Sequence, residues 1–99
     1  MARLDVYANP DGAGLLVDVQ ADLLSHLNTR LVVPLLPQSI APMPAKTLNP
    51  CFNVAGETVV MITQFMAAVP TAILRDPVTS LRPHRDEITA ALDFLIQGF

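Results

Sequence analysis

The C-terminal stretch LRPHRDEITAALDFLIQGF, residues 81–99, decides the fold that this sequence predicts, because it carries the strongest helix signal in the chain. Pro83 suits the first helical position, where its missing N–H would have no partner anyway. Acidic residues follow in the first turn, where the positive end of the helix dipole favours carboxylates, and Gly98 stands where a helix ends. The segment predicts a helix of about 16 residues, roughly 24 Å long, which displays Gln97-Gly98-Phe99 at its tip.

The apolar side chains of this helix predict a buried face and a second surface. Helical spacing places one stripe on a single face, formed by Ile88, Ala91, Leu92, Leu95 and Phe99. Phe94 and Ile96 fall outside that stripe and widen the apolar arc beyond the width that one sheet covers. The surplus predicts a second apolar surface on the helix.

Length and hydropathy bound the class of protein. Ninety-nine residues predict one domain, residues 1–99, with a core adequate for folding. A hydrophobic content of 52% with a mean hydropathy of +0.44 indicates either a membrane protein or apolar surface hidden against a partner. The longest apolar stretch, Val59 to Leu74, is interrupted by polar residues and a proline and is shorter than the ~20 residues that span a bilayer. Since the start of the chain also lacks a signal-peptide pattern, we expect neither a membrane span nor export.

Charge and cysteine usage indicate the compartment and exclude some partners. Six basic and nine acidic residues give a net charge of −3, and their pattern contains no phosphate-binding patch, so we expect no direct nucleic-acid binding. One cysteine, Cys51, excludes an intrachain disulfide and fits a reducing cytoplasm. Because Cys51 precedes an apolar run, we interpret it as an inert buried thiol.

The first half of the chain predicts three strands. Arg3 to Ala8 alternates as a half-buried strand does, and a turn at Asn9 to Gly12 leads into a second strand, Leu15 to Leu24, which pairs with the first as a hairpin. A third strand covers Arg30 to Leu36, where Pro34 is tolerable only at an edge or a bulge.

The second half predicts an irregular segment and then more strands. Five prolines crowd into residues 34–50, which predicts an irregular excursion within the domain. Phe52 to Val54 and Glu57 to Gln64 predict a second hairpin, and Thr71 to Leu74 a last short strand. The fold class that follows is mainly β with a C-terminal α-helix, arranged as a small antiparallel barrel that the helix closes on one side.

The polar residues predict no active site. Asp18, Gln20 and Asp22 share one strand face, but four residues of strand separate the two acids by ~13 Å, too far for one acid/base pair, so we interpret them as a solvated polar face. We interpret His26 as a loop residue and His84 as a solvated residue of the first helical turn, and their spacing from Cys51 fits no metal site.

No nucleophile elbow, phosphate loop or dinucleotide fingerprint is present, so we expect no catalytic residue, cofactor or metal. The apolar group Met61, Phe65 and Met66 predicts core packing, with a share of it available for a dimer contact.

Four stretches of the sequence follow the order of motifs in one known family. They read LVDVQADLL at 16–24, RLVVPL at 30–35, MITQFMAAVP at 61–70 and HRDEI at 84–88. The first resembles the second strand of that family, and the others resemble its patterns R-x-V-I-P-L, M-x-T-x-x-M-A-x-V-P and H-R-x-x-I. The chain therefore resembles, nearly end to end, the CcdB family of toxins from plasmid and chromosomal toxin–antitoxin pairs.

The resemblance carries expectations about fold, activity and partners. It implies a homodimer of SH3-like barrels, each with a C-terminal helix, in the cytoplasm. It implies a non-enzymatic poison that binds the A subunit of DNA gyrase and traps gyrase on cleaved DNA. It also implies a cognate antitoxin, whose flexible segment we expect to dock over the helix and the edge at residues 23–24. The family positions that face gyrase fall on Leu23, Leu24, Asp93, Ile96, Gln97, Gly98 and Phe99.

The tip departs from the family pattern. The family reads Trp-Gly-Ile where this chain has Gln97-Gly98-Phe99. A tryptophan face stacks on a guanidinium group with about 0.5–2 kcal/mol, so its loss weakens target binding by up to roughly 30-fold. Two alternatives therefore stay open: an antitoxin-binding homologue with a reduced or changed target, and an endoribonuclease toxin, since RNA-cutting toxins resemble this barrel.

Overall fold

The computed structural model describes residues 2–98, which form a curled antiparallel sheet and one helix. The elements are β1 Asp5–Ala8, β2 Leu15–Asp18, β3 Thr29–Pro37, β4 Cys51–Val54, β5 Glu57–Met61, β6 Ala67–Pro70, β7 Thr79–Ser80 and α1 Arg85–Gln97. Neighbouring strands follow the order β4-β5-β3-β2-β1-β7, and β6 pairs with β3 beside β5. The sheet forms a nearly closed barrel with α1 packed on it, which confirms the predicted fold class.

The first hairpin forms as predicted. β1 and β2 pair with Val6 opposite Val17 and Ala8 opposite Leu15. The connection ends at Gly14, whose φ of +85° is rare for residues with side chains. A Cβ at Gly14 would also collide with the carbonyl oxygen of Leu35, so this position requires glycine.

The third strand is the centre of the sheet and changes partner along its length. Residues 29–32 of β3 pair with β6, and residues 35–37 pair with β5. Pro34 lies in the gap between these two ladders, where its carbonyl oxygen accepts the N–H of Ile62 at 2.9 Å. Because N and O of one strand residue point to the same side, the ring nitrogen faces this gap and no ladder bond is lost. Pro34 thus occupies an interior strand at a break in pairing, where we had expected an edge or a bulge.

The helix covers the main core with a narrower stripe than predicted. Ile88 and Ala91 are fully buried, and Leu92 is partly buried against the core. The predicted stripe residue Leu95 is 37% exposed, because the helix extends past the core and its side chains from residue 93 onward face solvent. The helix begins at Arg85, later than predicted, because a 3-10 turn at Arg82–His84 contains Pro83.

Three local predictions are wrong for identifiable reasons. β2 ends at Asp18, and the predicted strand residues 22–24 form a 3-10 turn. The reason is that the Gln20 side chain hydrogen-bonds to the Leu24 carbonyl and the Leu31 N–H. Residues 71–73 also form a 3-10 turn, whereas the strand lies just before them in β6. Cys51 is exposed, because the alternation of β4 points Phe52 and Val54 inward.

The irregular excursion predicted for residues 34–50 begins after β3, at residue 38, and contains no helix or strand up to residue 50. Its two ends are tied to β5, because the Gln38 N–H donates to the Thr58 carbonyl and the Met61 N–H donates to the Pro50 carbonyl. Across residues 2–98, no helix combines the length and the apolar character that a bilayer crossing demands.

Candidate functional site

The end of α1 is exposed, which confirms the predicted display of Gln97 and Gly98. Residues 93–98 contain no buried side chain, and Ile96 is 73% exposed. Phe94 at 39% adds to the same end of the helix. Gly98 ends the helix in the left-handed conformation, with φ +82°, and its N–H donates to the Phe94 carbonyl at 3.0 Å. The cap holds the final turn in place, while Phe99 lies outside the described residues.

A second exposed apolar group lies on the 3-10 turn after β2. Leu23 is 88% exposed and Leu24 is 42% exposed. Asp22 Oδ1 accepts the backbone N–H of Arg3 at 2.7 Å, which ties this turn to the start of β1. The two leucines predicted to face gyrase are therefore presented to solvent by a tethered turn.

Gln20 fixes the connection that carries these leucines. Its Nε2 donates to the carbonyl oxygens of Leu24 and Thr29, both at 3.1 Å, and its Oε1 accepts the N–H of Leu31 at 3.1 Å. The Gln20 side chain thus links the turn after β2 to the start of β3. Our prediction that this side chain is solvated is therefore wrong.

Gln20→Ala is expected to lower the free energy of unfolding by about 1–2 kcal/mol, because three backbone groups each lose a hydrogen bond, although the Leu24 carbonyl keeps the one from the Leu27 N–H. Amide hydrogen exchange at residues 21–28 should accelerate, measured beside urea denaturation. Gln38→Ala, an exposed glutamine far along the chain, serves as the control and should change neither quantity. Unchanged exchange at residues 21–28 in Gln20→Ala would contradict this role.

The leucine turn and the helix tip lie in separate places on the surface. Asp22 lines a cavity of about 180 Å³ with Arg3, Leu4, Arg82 and Arg85, at the start of α1. The helix runs about 18 Å from Arg85 to Gln97, so the tip lies at the opposite end of that element. Of the residues predicted to face gyrase, the structure thus places Leu23 and Leu24 in one patch and Asp93 to Gly98 in another.

Asp18 is buried, contrary to the predicted solvated face. Its carboxylate Oδ2 accepts a hydrogen bond from Arg30 Nε at 2.8 Å and lies 2.5 Å from Arg30 Nη2, and both side chains are 0% exposed. Asp18 Oδ1 accepts the Gln20 N–H at 3.0 Å. The alternation of the strands puts the pair on the sheet face away from the main core, beside the buried ring of Tyr7.

Burial governs the ionisation of this cluster. It raises the pKa of Asp18 above its usual value, although the hydrogen bond and charge of Arg30 pull in the opposite direction. Burial also raises the pKa of Tyr7, with a further contribution from the carboxylates of Asp5 and Asp18. The cluster is sealed from solvent, so it serves the fold and offers no group to a substrate.

The histidines and the cysteine form no metal site. His84 Nδ1 lies 3.2 Å from Glu87 Oε1, and its ring packs 4.9 Å from that of Phe52. His26 is exposed in a turn, as predicted. Within residues 2–98, no three histidine, cysteine or carboxylate side chains stand close enough to hold a metal ion.

One grouping could not be predicted from the sequence. Arg3, Arg82 and Arg85, half of the six basic residues, line the same cavity. The spacing of Arg82 and Arg85, three residues apart at a helix start, is a signal for a shared face. Arg3 joins them only through the pairing of β1 with its neighbours, which the sequence does not display.

Comparison with known proteins adds a family and a fold neighbour. The family model described as CcdB protein matches residues 3–98. A solved structure described as an endoribonuclease in complex with its cognate antitoxin, from mycobacterial species, superposes with a TM-score of 0.79 and 16% identity. That match covers 97% of this chain and 94% of the other, and at this identity it shows a common fold alone.

Proposed function

The chain belongs to the CcdB family, toxins of toxin–antitoxin modules, and from this membership we propose that it binds the A subunit of DNA gyrase and traps gyrase on cleaved DNA. In this proposal the protein makes and breaks no bond itself. It acts in the cytoplasm as one domain, contacts neither membrane nor nucleic acid directly, and is neutralised by a cognate antitoxin. The proposed contact residues are Leu23, Leu24, Asp93, Ile96, Gln97, Gly98 and Phe99.

The exposed tip of α1 is the observation that carries the proposal. Ile96 and Leu23, exposed by 73% and 88%, hold large apolar side chains in water on ordered elements. At the end of α1, three consecutive apolar residues, Phe94, Leu95 and Ile96, are exposed, and exposed apolar patches mark protein-binding sites. Apolar anchors with a polar rim are also the usual anatomy of a protein interface, and Asp93 and Gln97 supply such a rim here.

A homodimer joins the separate patches in this proposal. Within one chain, the leucine turn meets the start of α1 while the tip lies at its end. Two copies related by a twofold axis would present two tips and two leucine turns, and a gyrase subunit dimer offers matching symmetry. Sedimentation equilibrium at micromolar concentration tests this part, and a monomer at those concentrations would contradict it.

The test of the main proposal uses purified protein, gyrase and supercoiled plasmid. Stabilised cleavage complexes yield linear DNA when the mixture is denatured and treated with protease. We expect linear DNA to accumulate with increasing protein, and added antitoxin to suppress it. Gyrase that completes its cycle normally at saturating protein would contradict the proposal.

An endoribonuclease is the second candidate, because His84 and Glu87 form a pair beside Arg85, one of the arginines of the cavity. An imidazole, a carboxylate and guanidinium groups are the components of acid/base cleavage of a phosphodiester. Incubation of the protein with total RNA, without gyrase, separates the candidates. Discrete cleavage products that disappear in His84→Ala would favour the endoribonuclease.

Gln97→Trp is expected to strengthen gyrase binding by about 3- to 30-fold, since an indole face stacks on a guanidinium group where an amide does not. Gln97 is exposed, so the larger ring enters no packed space. Affinity for a gyrase A fragment by biolayer interferometry measures the gain, and Gln38→Trp is the control. A homologue that binds antitoxin but lacks the gyrase target would show no gain, and its overexpression would be harmless.

A further inference from the structure

The cavity between the leucine turn and the start of α1 is basic in an acidic protein. Three guanidinium groups, from Arg3, Arg82 and Arg85, and one carboxylate, from Asp22, leave its walls with a net charge of +2. The whole chain carries −3. Clefts lined by one sign of charge concentrate ions of the opposite sign, so this cavity attracts anions against the charge of the rest of the molecule.

The three arginines are not neutralised by the fold. Among residues 2–98, the ion pairs within 4.0 Å are Asp18 with Arg30 and His84 with Glu87, and none involves these arginines. Arg3 Nε donates to the Val19 carbonyl at 3.2 Å, which fixes the stem and leaves both terminal nitrogens for another group. The positive charges around this cavity repel each other, and an anion bound among them reduces that repulsion.

The size of the cavity favours a single charged group. Its volume of about 180 Å³ is smaller than the roughly 300–1,000 Å³ of sites for drug-sized ligands. A carboxylate fits this space and accepts two parallel N–H bonds from one guanidinium. A nucleotide would place its phosphate among the arginines and leave its sugar and base outside the cavity.

The surroundings favour a peptide over a nucleic acid. Asp22 lines the cavity, and the next two residues in the chain, Leu23 and Leu24, expose their side chains. An acidic residue next to an apolar one in a peptide suits this sequence of a charged cavity followed by exposed leucines. A nucleic-acid strand would bring many phosphates toward the Asp22 carboxylate and toward a chain of net negative charge.

We propose that this cavity binds a glutamate or aspartate side chain of an acidic peptide segment in a partner protein, while an apolar residue of the same segment packs on Leu23 and Leu24. The identification of that partner as the antitoxin rests on the proposed function. The binding chemistry itself rests on the cavity alone.

The experiment uses the full chain and defined probes. We would follow the Nε–H signals of Arg82 and Arg85 by NMR during titration with the peptide Gly-Ser-Leu-Glu-Glu-Leu-Ser-Gly. A peptide with both glutamates replaced by glutamine is the matched control, and a mixed-sequence RNA hexamer is the third probe. The glutamate peptide is expected to bind about tenfold more tightly than the glutamine peptide.

Substitutions then locate the site. Arg82→Gln and Arg85→Gln are each expected to weaken the glutamate peptide about tenfold, while Arg75→Gln, which removes an exposed arginine elsewhere, changes nothing. Thermal unfolding of each variant checks that the fold is retained.

Three results would overturn the proposal: equal binding of the two peptides, unchanged affinity in Arg82→Gln and Arg85→Gln, or preferential binding of the RNA hexamer at these arginines. The assay contains neither gyrase nor DNA. Its failure leaves the gyrase proposal intact, and failure of gyrase poisoning leaves this site intact.

Discussion

Arg30→Met is expected to lower the free energy of unfolding by about 3–5 kcal/mol at neutral pH, the loss typical of a broken buried ion pair. Arg30 and Asp18 are both 0% exposed, and the guanidinium is the positive group in direct contact with that carboxylate. Methionine fills most of the space but leaves the carboxylate buried without a countercharge. The remaining hydrogen bond, from the Gln20 N–H at 3.0 Å, compensates for only part of the loss.

The pH dependence of this loss follows from the direction of the Asp18 pKa. Burial already raises that pKa above its usual value of 3.8, and Arg30 is the largest opposing contribution, so its removal raises the pKa further. A carboxyl group with a raised pKa in the folded state contributes most stability below the unfolded pKa, and loses it as pH rises toward the folded pKa. Arg30→Met should therefore be least destabilised near pH 4, with stability falling as pH rises from there toward neutrality.

Urea denaturation at several pH values measures both effects. The double variant Asp18→Leu with Arg30→Met removes both charges and should recover most of the loss, since apolar replacements of buried pairs are often tolerated. Arg75→Met is the surface control, expected to change stability by less than about 0.5 kcal/mol. A loss below about 1 kcal/mol for Arg30→Met would show that water reaches this pair.

Of the predicted polar strand face Asp18, Gln20 and Asp22, only Asp18 lies on the strand, and the sequence predicted its orientation but not its burial. Alternation correctly separated Asp18 from Val17 and Val19, which point into the main core. The strand alternation places Asp18 and Arg30 on the same sheet face as a small second core that includes Tyr7, Leu16 and Leu74. Leu74 follows a 3-10 turn that we had predicted as a strand, so the sequence did not predict a second core on this face.

The candidate site likewise has one part that the sequence predicts from local spacing and one part that depends on residues far apart in the chain. The exposure of Ile96 follows from helical spacing within one element, and it was predicted. The arginine cavity combines Arg3, Asp22 and the start of α1, which are far apart in the chain. Such a grouping depends on the sheet order, β1 beside β2 and β7, which spacing within any one segment does not encode.

Removal of residues 97–99 is expected to weaken binding to gyrase at least 100-fold and to abolish cleavage complexes at matched concentration. Deletion of hot-spot residues at the centre of an interface costs several kcal/mol, and 100-fold corresponds to about 2.7 kcal/mol. The proposal places three of its seven contact residues in this segment. Biolayer interferometry with a gyrase A fragment and the linear-DNA assay measure the two effects.

The fold should survive this truncation, which makes the result interpretable. Gln97 and Gly98 are exposed, and their removal breaks the cap hydrogen bond from the Gly98 N–H to the Phe94 carbonyl, worth about 0.5–1.5 kcal/mol. The buried helix residues Ile88 and Ala91 lie more than one turn before the cut. We therefore expect a two-state unfolding transition like that of the intact chain, with a slightly lower midpoint.

Met43→Ser is the matched control for the truncation, because each change removes one apolar side chain. Met43 is 92% exposed in the irregular segment between β3 and β4, outside the proposed contact residues. If gyrase bound through nonspecific hydrophobic contacts, Met43→Ser would weaken binding as strongly as the truncation does. If the helix tip binds gyrase specifically, Met43→Ser should keep full affinity for the gyrase A fragment and the truncated chain should lose it. A truncated chain that binds within threefold of the intact one would place the gyrase contact elsewhere on the barrel.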